Sequence, residues 1–458
     1  MLDLKITGGF VVLSDEVLRL DIGVKDGVIV RLEESLDEAP AEQHCDVAGK
    51  HVLPGMVDAH VHFNEPAMGH WEGFATGSAA LAAGGCTSYI DMPLNGLPPT
   101  VSVSALESKL NAAEGCSQVD YALWGGLVPG KLDQLEPLAQ AGVIGFKAFM
   151  SEPGGEEEDR FQRVDDVTLL EGMKRIAKLN RVLALHAEHE AMTVMLAEKA
   201  VSSGKTGALD YAASRPVLAE CEAVRQALLM AEQTGCPLHF VHISSAAAVE
   251  LIQTAKDKGL NVTLETCPHY LTLTEDDMMT LGAVAKCAPP LRSKEEQEKL
   301  WKALADGQID LIASDHSPSP PELKQAEHFF KAWGGIAGAQ SSLELMVDEG
   351  HLKRGLPLPF ISRLLSLHPA QRFGLHPRKG EIALHADADF AVLDLKHTYE
   401  LKAEHLKQRH AYSPYVGRTL SCRVSATFAR GTLVYEESMQ LETAIGGKGR
   451  GKWLRYRC

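Results

Sequence analysis

Eight short apolar runs recur along the middle of the chain: "GMVDAHVH" from residue 55, "CTSYIDMP" from 86, "VDYALWGG" from 119, "VIGFKAFM" from 143, "VLALHAE" from 182, "LHFVHIS" from 238, "NVTLETCP" from 261 and "IDLIASDHS" from 309. Between them lie longer stretches whose apolar residues return every three or four positions, such as "VTLLEGMKRIAKLN" and "AECEAVRQALLMAEQTG", with Asn or Gly near the end. The short runs predict buried strands and the wider spacing predicts amphipathic helices. Eight such alternations predict an α/β fold, a (β/α)8 barrel, whose functional groups collect at the C-terminal strand ends. The two ends of the chain have another texture. "LKITGGFVVLSDEVLRLDIGVKDGVIVRL", "KGEIALHADADFAVLDL" and "RVSATFARGTLVYE" are short β-type runs broken by turn residues, which predict antiparallel strands. We therefore expect one small β-sandwich domain built from residues 1–54 and 376–458, with the barrel at 55–375.

Composition narrows the partners. The chain has 458 residues, 45% hydrophobic and 23% charged, values of an ordinary globular protein with a large core. Its formal charge of -16 argues against nucleic acid or an anionic membrane and points to a small-molecule substrate. Nine scattered cysteines without a CxxC pair fit reduced thiols in the cytoplasm. No apolar run reaches the roughly 18 residues of a membrane span.

Within the apolar runs the unusual polar residue comes late. His60 and His62 close the first, Lys147 lies in the fourth, His186 in the fifth, His242 in the sixth and Asp315 in the eighth. Residues i and i+2 of a strand share a face, so His60 and His62 can hold a metal together. Taken alone, the pair reads first as structural, with one ring on Asp58 and the other in solvent. Lys147 taken alone reads as a lysine paired with an acid. Five runs aimed at one rim point instead to a shared site. Four histidines, a carboxylate and a lysine exceed the three protein ligands of a single catalytic zinc and suggest two metals. A lysine desolvated near metals loses its proton more readily, and the neutral amine can take up carbon dioxide as a carbamate.

Those residues, with "AGKHVLPGMVDAHVH" and "KGEIALHADADFAVLDL" flanking the barrel, resemble the amidohydrolase superfamily in its two-metal, hydantoinase- and dihydropyrimidinase-like branch, over nearly the whole chain. The resemblance implies that His60 and His62 hold one divalent metal and His186 and His242 the other. It further implies that N6-carboxylated Lys147 bridges the two, and that Asp315 binds the first metal and serves as general acid/base. Zinc is the expected metal, with cobalt, manganese or nickel as alternatives. Two ions about 3.5–4 Å apart would acidify a bridging water, and the resulting hydroxide would attack a cyclic amide. The family resemblance also implies a homotetramer.

The ring is read from the residues around the mouth. Dihydroorotases place an arginine shortly after HxH to hold a carboxylate, whereas "HVHFNEP" has Asn64 there. The stretches "HWEGFATGSAALAAGG", "MPLN", "SDHSPSPPELK" and "KAWGGIAGAQSSLE" are similar to allantoinases, which implies hydrolysis of (S)-allantoin to allantoate in purine catabolism. A hydantoinase or dihydropyrimidinase is the alternative, and a non-catalytic scaffold is a rival from another class. Asn95, Trp333, Gly334 and Gly335 are substrate-contact candidates, although Asn95 can equally cap a helix and the glycines shape a turn. His316 and His269 are expected behind the ligands. The acidic segment 151–166 is either a solvated loop or a lid over the mouth.

Overall fold

The computed structural model describes residues 1–155, 160–440 and 448–456. Eight parallel strands form the barrel: Met56–Val61, Cys86–Asp91, Asp120–Leu123 continued by Gly125–Gly126, Phe146–Phe149, Leu183–His186, Leu238–Phe240, Val262–Thr266 and Leu311–Ile312. The third strand is interrupted at Trp124, pairing with the second strand before the break and with the fourth after it. The Trp124 indole crosses to donate to the Ala59 carbonyl at 3.1 Å. Between the eighth strand and the first, a parallel bridge joins Val61 to His316 and closes the ring. The short final strand therefore suffices, because closure comes just beyond its end.

The helices follow from their spacing. Asp166–Lys178 starts on Asp165, whose carboxylate accepts the Thr168 N–H, and it buries Leu169, Met173 and Ile176 at intervals of four and three. Each such side chain contributes about 1.5–3 kcal/mol when fully buried. Arg175 and Lys178 in its last turn complement the helix dipole. Val217–Thr234 stops at Gly235, which takes the left-handed conformation that glycine adopts without a Cβ clash.

Both ends of the chain build one β-sandwich. A four-stranded sheet orders Val28–Glu33, Asp21–Lys25, Leu2–Thr7 and Ala41–Asp46. A six-stranded sheet orders Thr432–Glu436, Arg423–Ala429, Phe390–Asp394, His51–Pro54, Phe10–Val12 and Val17–Arg19. Leu4, Ile6, Val11, Ile22, Val24, Val52, Phe390 and Phe428 fill the space between them. His51–Pro54 pairs antiparallel with Phe390–Asp394, Val52 opposite Val392, and Gly55 then turns the chain straight into the first barrel strand. A Cβ on Gly55 would sit 2.2 Å from Thr87 Oγ1, so glycine allows this close approach. Buried Lys379 ties sandwich to barrel through Asp389 and Asp120, both at 2.7 Å. Near the C-terminus, Lys452 and Leu454 exchange backbone hydrogen bonds with Tyr121 of the third barrel strand. Among the described residues no helix is long and apolar enough to cross a membrane, and the eight cysteines there carry free thiols.

Candidate active site

The six metal-ligand candidates stand in barrel strands or within three residues of their C-terminal ends. His60 lies in the first strand with His62 just beyond it, Lys147 in the fourth, His186 ends the fifth, and His242 and Asp315 follow the sixth and eighth. His242 and Asp315 adopt φ of +41° and +46°, a left-handed conformation that costs a side-chain-bearing residue energy and tends to mark functional positions.

Two sets of donor atoms converge. His60 Nε2 and His62 Nε2 lie 3.2 and 3.3 Å from the same oxygen of Asp315, and these three residues can each offer a ligand atom within 4.8 Å of the others. His186 Nδ1 and His242 Nε2 face each other at 3.0 Å. His60 links the two sets, its ring centroid 5.5 Å from that of His242. Each set is oriented from behind by a buried carboxylate. Glu265 Oε1 takes the outer nitrogen of His60 at 2.6 Å, its other oxygen accepts from His239 at 3.0 Å, and His60 Nε2 is left facing the mouth. Glu188 takes His186 Nε2 at 2.9 Å and is itself paired with Arg215, leaving His186 Nδ1 inward. Carboxylates behind imidazoles fix the tautomer and raise the ligand's basicity.

Lys147 is the anomaly. It is fully buried, and its ammonium has no hydrogen-bond partner. Burial pushes its pKa down to about 7 against the opposing charges of Glu265 and Asp315. A buried ammonium without a partner is costly, whereas the neutral amine is the form that reacts with carbon dioxide. Burial likewise lowers the pKa values of His62, His186 and His242 and keeps the imidazoles neutral, as ligation requires. Burial opposes ionisation of Asp315, but His60, His62 and His242 hold it well below the usual carboxylate range. The donor set, with an unpaired buried amine among four imidazoles and an ionised carboxylate, fits a pair of divalent cations.

A cleft is walled by Trp71, Leu94, Asn95, Gly154, Phe161 and Trp333 among others, and Phe161 reaches toward the histidines through Phe149, which stacks on His186. Asn95 and Trp333 thus border the same space. Asn95 does not cap a helix: its φ is +58° and the next helix starts on Ser102. Gly334 and Gly335 are not part of that wall; Gly335 has φ +121°, and a Cβ there would fall 2.2 Å from the Ser317 carbonyl oxygen, so its role is to let two backbones pass. Asn64 is buried with neither amide atom hydrogen-bonded. His316 is occupied structurally, with Glu72 at 3.3 Å on one nitrogen and the Ala339 N–H on the other. His269 is buried with both nitrogens unpartnered, and burial lowers its pKa to about 4. Of segment 151–166, residues 156–159 lie outside the described residues.

The structural reading of the pair, with one ring on Asp58, is not what the fold shows: Asp58 Oδ1 accepts the backbone N–H groups of His60 and Ser314, and Glu265 has the His60 ring. Glu265 and Glu188 were missed. Both carried a signal: Glu265 is a charge inside the apolar run "NVTLETCP", and Glu188 follows His186 at the two-residue spacing of a shared face.

Comparison with known proteins identifies the family. The profile of the amidohydrolase family matches residues 51–434. An allantoinase of Deinococcus radiodurans is 49% identical, covering 100% of this chain and 99% of its own. An allantoinase of Solibacter usitatus is 46% identical, covering 97% and 95%. Among solved structures, the L-hydantoinase (dihydropyrimidinase) from Arthrobacter aurescens superposes with a TM-score of 0.95 at 34% identity over 99% of this chain and 100% of that one. The dihydropyrimidinase from Brevibacillus agri gives 0.91 at 28% identity over 100% and 99%.

Proposed function

Because this chain belongs to the amidohydrolase family, and by full-length identity to its allantoinase group, we propose that it hydrolyses the ring amide of (S)-allantoin to allantoate. The observation that carries the hydrolytic reading is Lys147, an amine buried without a partner where His60, His62, His186, His242 and Asp315 converge. His60, His62 and Asp315 would hold one cation, His186 and His242 the other. The Lys147 amine, carboxylated by carbon dioxide with release of one proton, would supply the oxygens between them. Zinc is the ion favoured here, with cobalt, manganese and nickel compatible with the same ligands. Bound cations would supply an acidified water and a polarised carbonyl.

The protein groups divide the remaining work. Glu265 and Glu188 keep the ligating nitrogens of His60 and His186 pointed inward. Asp315, ionised and shared by two imidazoles, takes up the proton released as the C–O bond forms. It delivers that proton to the departing ring nitrogen as the C–N bond breaks and ends as the carboxylate it began. Trp71 and Trp333, with ring centroids 4.8 Å apart, shelter the cleft, and Asn95 offers an amide to an uncharged, hydrogen-bonding ring. Asn64, where an arginine would suit a carboxylated ring, fits an uncharged substrate.

The same reading includes a homotetramer, for which exposed Met195, Leu218 and Leu229 on neighbouring helices offer apolar contact surface, and a reducing, cytoplasmic setting for the free thiols. A second reading, hydrolysis of hydantoins or dihydropyrimidines, is favoured by the likeness to solved hydantoinases. Initial rates of the metal-loaded enzyme on allantoin, hydantoin and dihydrouracil separate the two. Allantoin is expected to be turned over fastest, and a preference for either of the others would assign the enzyme to the second reading.

A further inference from the structure

The segment that carries Trp333 to the cleft has irregular backbone, and its carbonyls are satisfied in an unusual way. Lys286, 4% exposed, donates from one ammonium group to the carbonyls of Phe329, Phe330 and Ala332 at 2.8, 3.2 and 2.5 Å. Lys324 donates to the carbonyls of Trp333 and Gly335 at 3.0 and 2.7 Å. Among the described residues neither lysine pairs with a carboxylate. The Lys286 ammonium lies 4.6 Å from the centroid of the Tyr211 ring, and its own backbone carbonyl accepts the Gly335 N–H at 2.7 Å. The Trp333 N–H is in turn given to the Leu323 carbonyl at 2.8 Å. Phe329, Phe330, Ala332, Trp333 and Gly335 are thereby each tied to one of two lysines.

Burying a cation such as Lys286 without a counter-charge is unfavourable, and a methionine would fill similar space without that cost; Lys324 is half-buried. The benefit lies in the donors. An ammonium has three N–H groups, and the three carbonyls around Lys286 use all of them. Backbone carbonyls converging on one point would otherwise need water or a bound cation. Burial, reinforced by the neighbouring Arg215 and Lys324, lowers the pKa of Lys286 to about 7, and burial lowers that of Lys324 to about 7; unlike Lys147, both face carbonyl acceptors that favour the protonated form with its three N–H donors.

We propose that Lys286 and Lys324 are positioning residues for substrate: two built-in cations that clamp the segment 329–335 and set the Trp333 wall of the cleft that Asn95 also lines. The proposal rests on reading that cleft as the substrate site. The clamp acts on the shape of the pocket and not on the metal ligands, so it governs binding more than turnover.

Lys324→Met tests it, with Lys324→Arg as the variant that keeps a charged donor. Lys324→Met is expected to raise KM for allantoin about tenfold, the size of one lost charge-assisted hydrogen bond, with kcat within about threefold and metal content unchanged. Lys324→Arg stays near the parent. The emission attributable to Trp333, obtained by difference from Trp333→Phe in each background, shifts to the red in Lys324→Met as the indole loosens toward water. That emission reads the clamp without substrate. If the parent enzyme fails to hydrolyse allantoin, the function reading fails, while an emission shift still supports the clamp. Unchanged KM together with unchanged Trp333 emission overturns the proposal, as does a loss of kcat accompanied by loss of metal. Lys286→Met is expected to act in the same direction; should it fail to fold, Lys324→Met carries the test alone.

Discussion

Asp315→Asn is expected to lower kcat for allantoin hydrolysis by about 10²–10⁴-fold, the usual contribution of a positioned general acid/base, with near-normal metal content and KM. The substitution is close to isosteric. It leaves an oxygen near His60 Nε2 and His62 Nε2, which lie 3.2 and 3.3 Å from the present carboxylate, so ligation survives in large part. What disappears is the capacity to accept a proton. An amide cannot take the proton released on attack or pass it to the ring nitrogen, and both halves of the transfer fail together. Steady-state kinetics with metal analysis on the same preparation check this. Near-normal turnover in Asp315→Asn would remove Asp315 from that role.

Lys147→Ala is expected to reduce bound metal from about two equivalents to one or fewer and to abolish turnover. The amine sits fully buried with no hydrogen-bond partner, so its removal breaks no hydrogen bond within the protein and the fold is expected to persist. Loss of activity would then reflect loss of the bridging oxygens. A small carboxylate such as acetate or propionate, admitted to the vacated space, is expected to restore part of both metal binding and rate, because it supplies the oxygens that the carbamate would. Retention of two equivalents and of activity in Lys147→Ala would contradict the assignment of Lys147.

The barrel and the sandwich were legible because their signals are periodic and local. Each apolar run contains a barrel strand, and the helix read from "VTLLEGMKRIAKLN" lies at Asp166–Lys178. Closure was not legible, since it rests on Val61 meeting His316 across the whole barrel. The late histidines, lysine and aspartate stood out because each interrupts an apolar run, and the fold brings those interruptions to one rim. The groups behind them were harder to see. Glu265 reaches His60 from 205 residues away, and nothing in either run reveals that partner, so the nearby Asp58 was the natural but incorrect choice. Lys324 closes the family-like stretch "SDHSPSPPELK" and Lys286 lies outside every quoted run, but neither role was legible, because their contacts are with carbonyls of an aperiodic segment and any residue type has a carbonyl.

The account turns on two cations held at one rim acting on one ring. Enzyme stripped of metal and reloaded stepwise with zinc in the presence of bicarbonate, assayed at each step on pure (S)-allantoin for allantoate release, tests it most directly. The rate is expected to rise until about two equivalents are bound and to be lost again on chelation. Full activity with one equivalent or with none, or no allantoate at two equivalents, would contradict it.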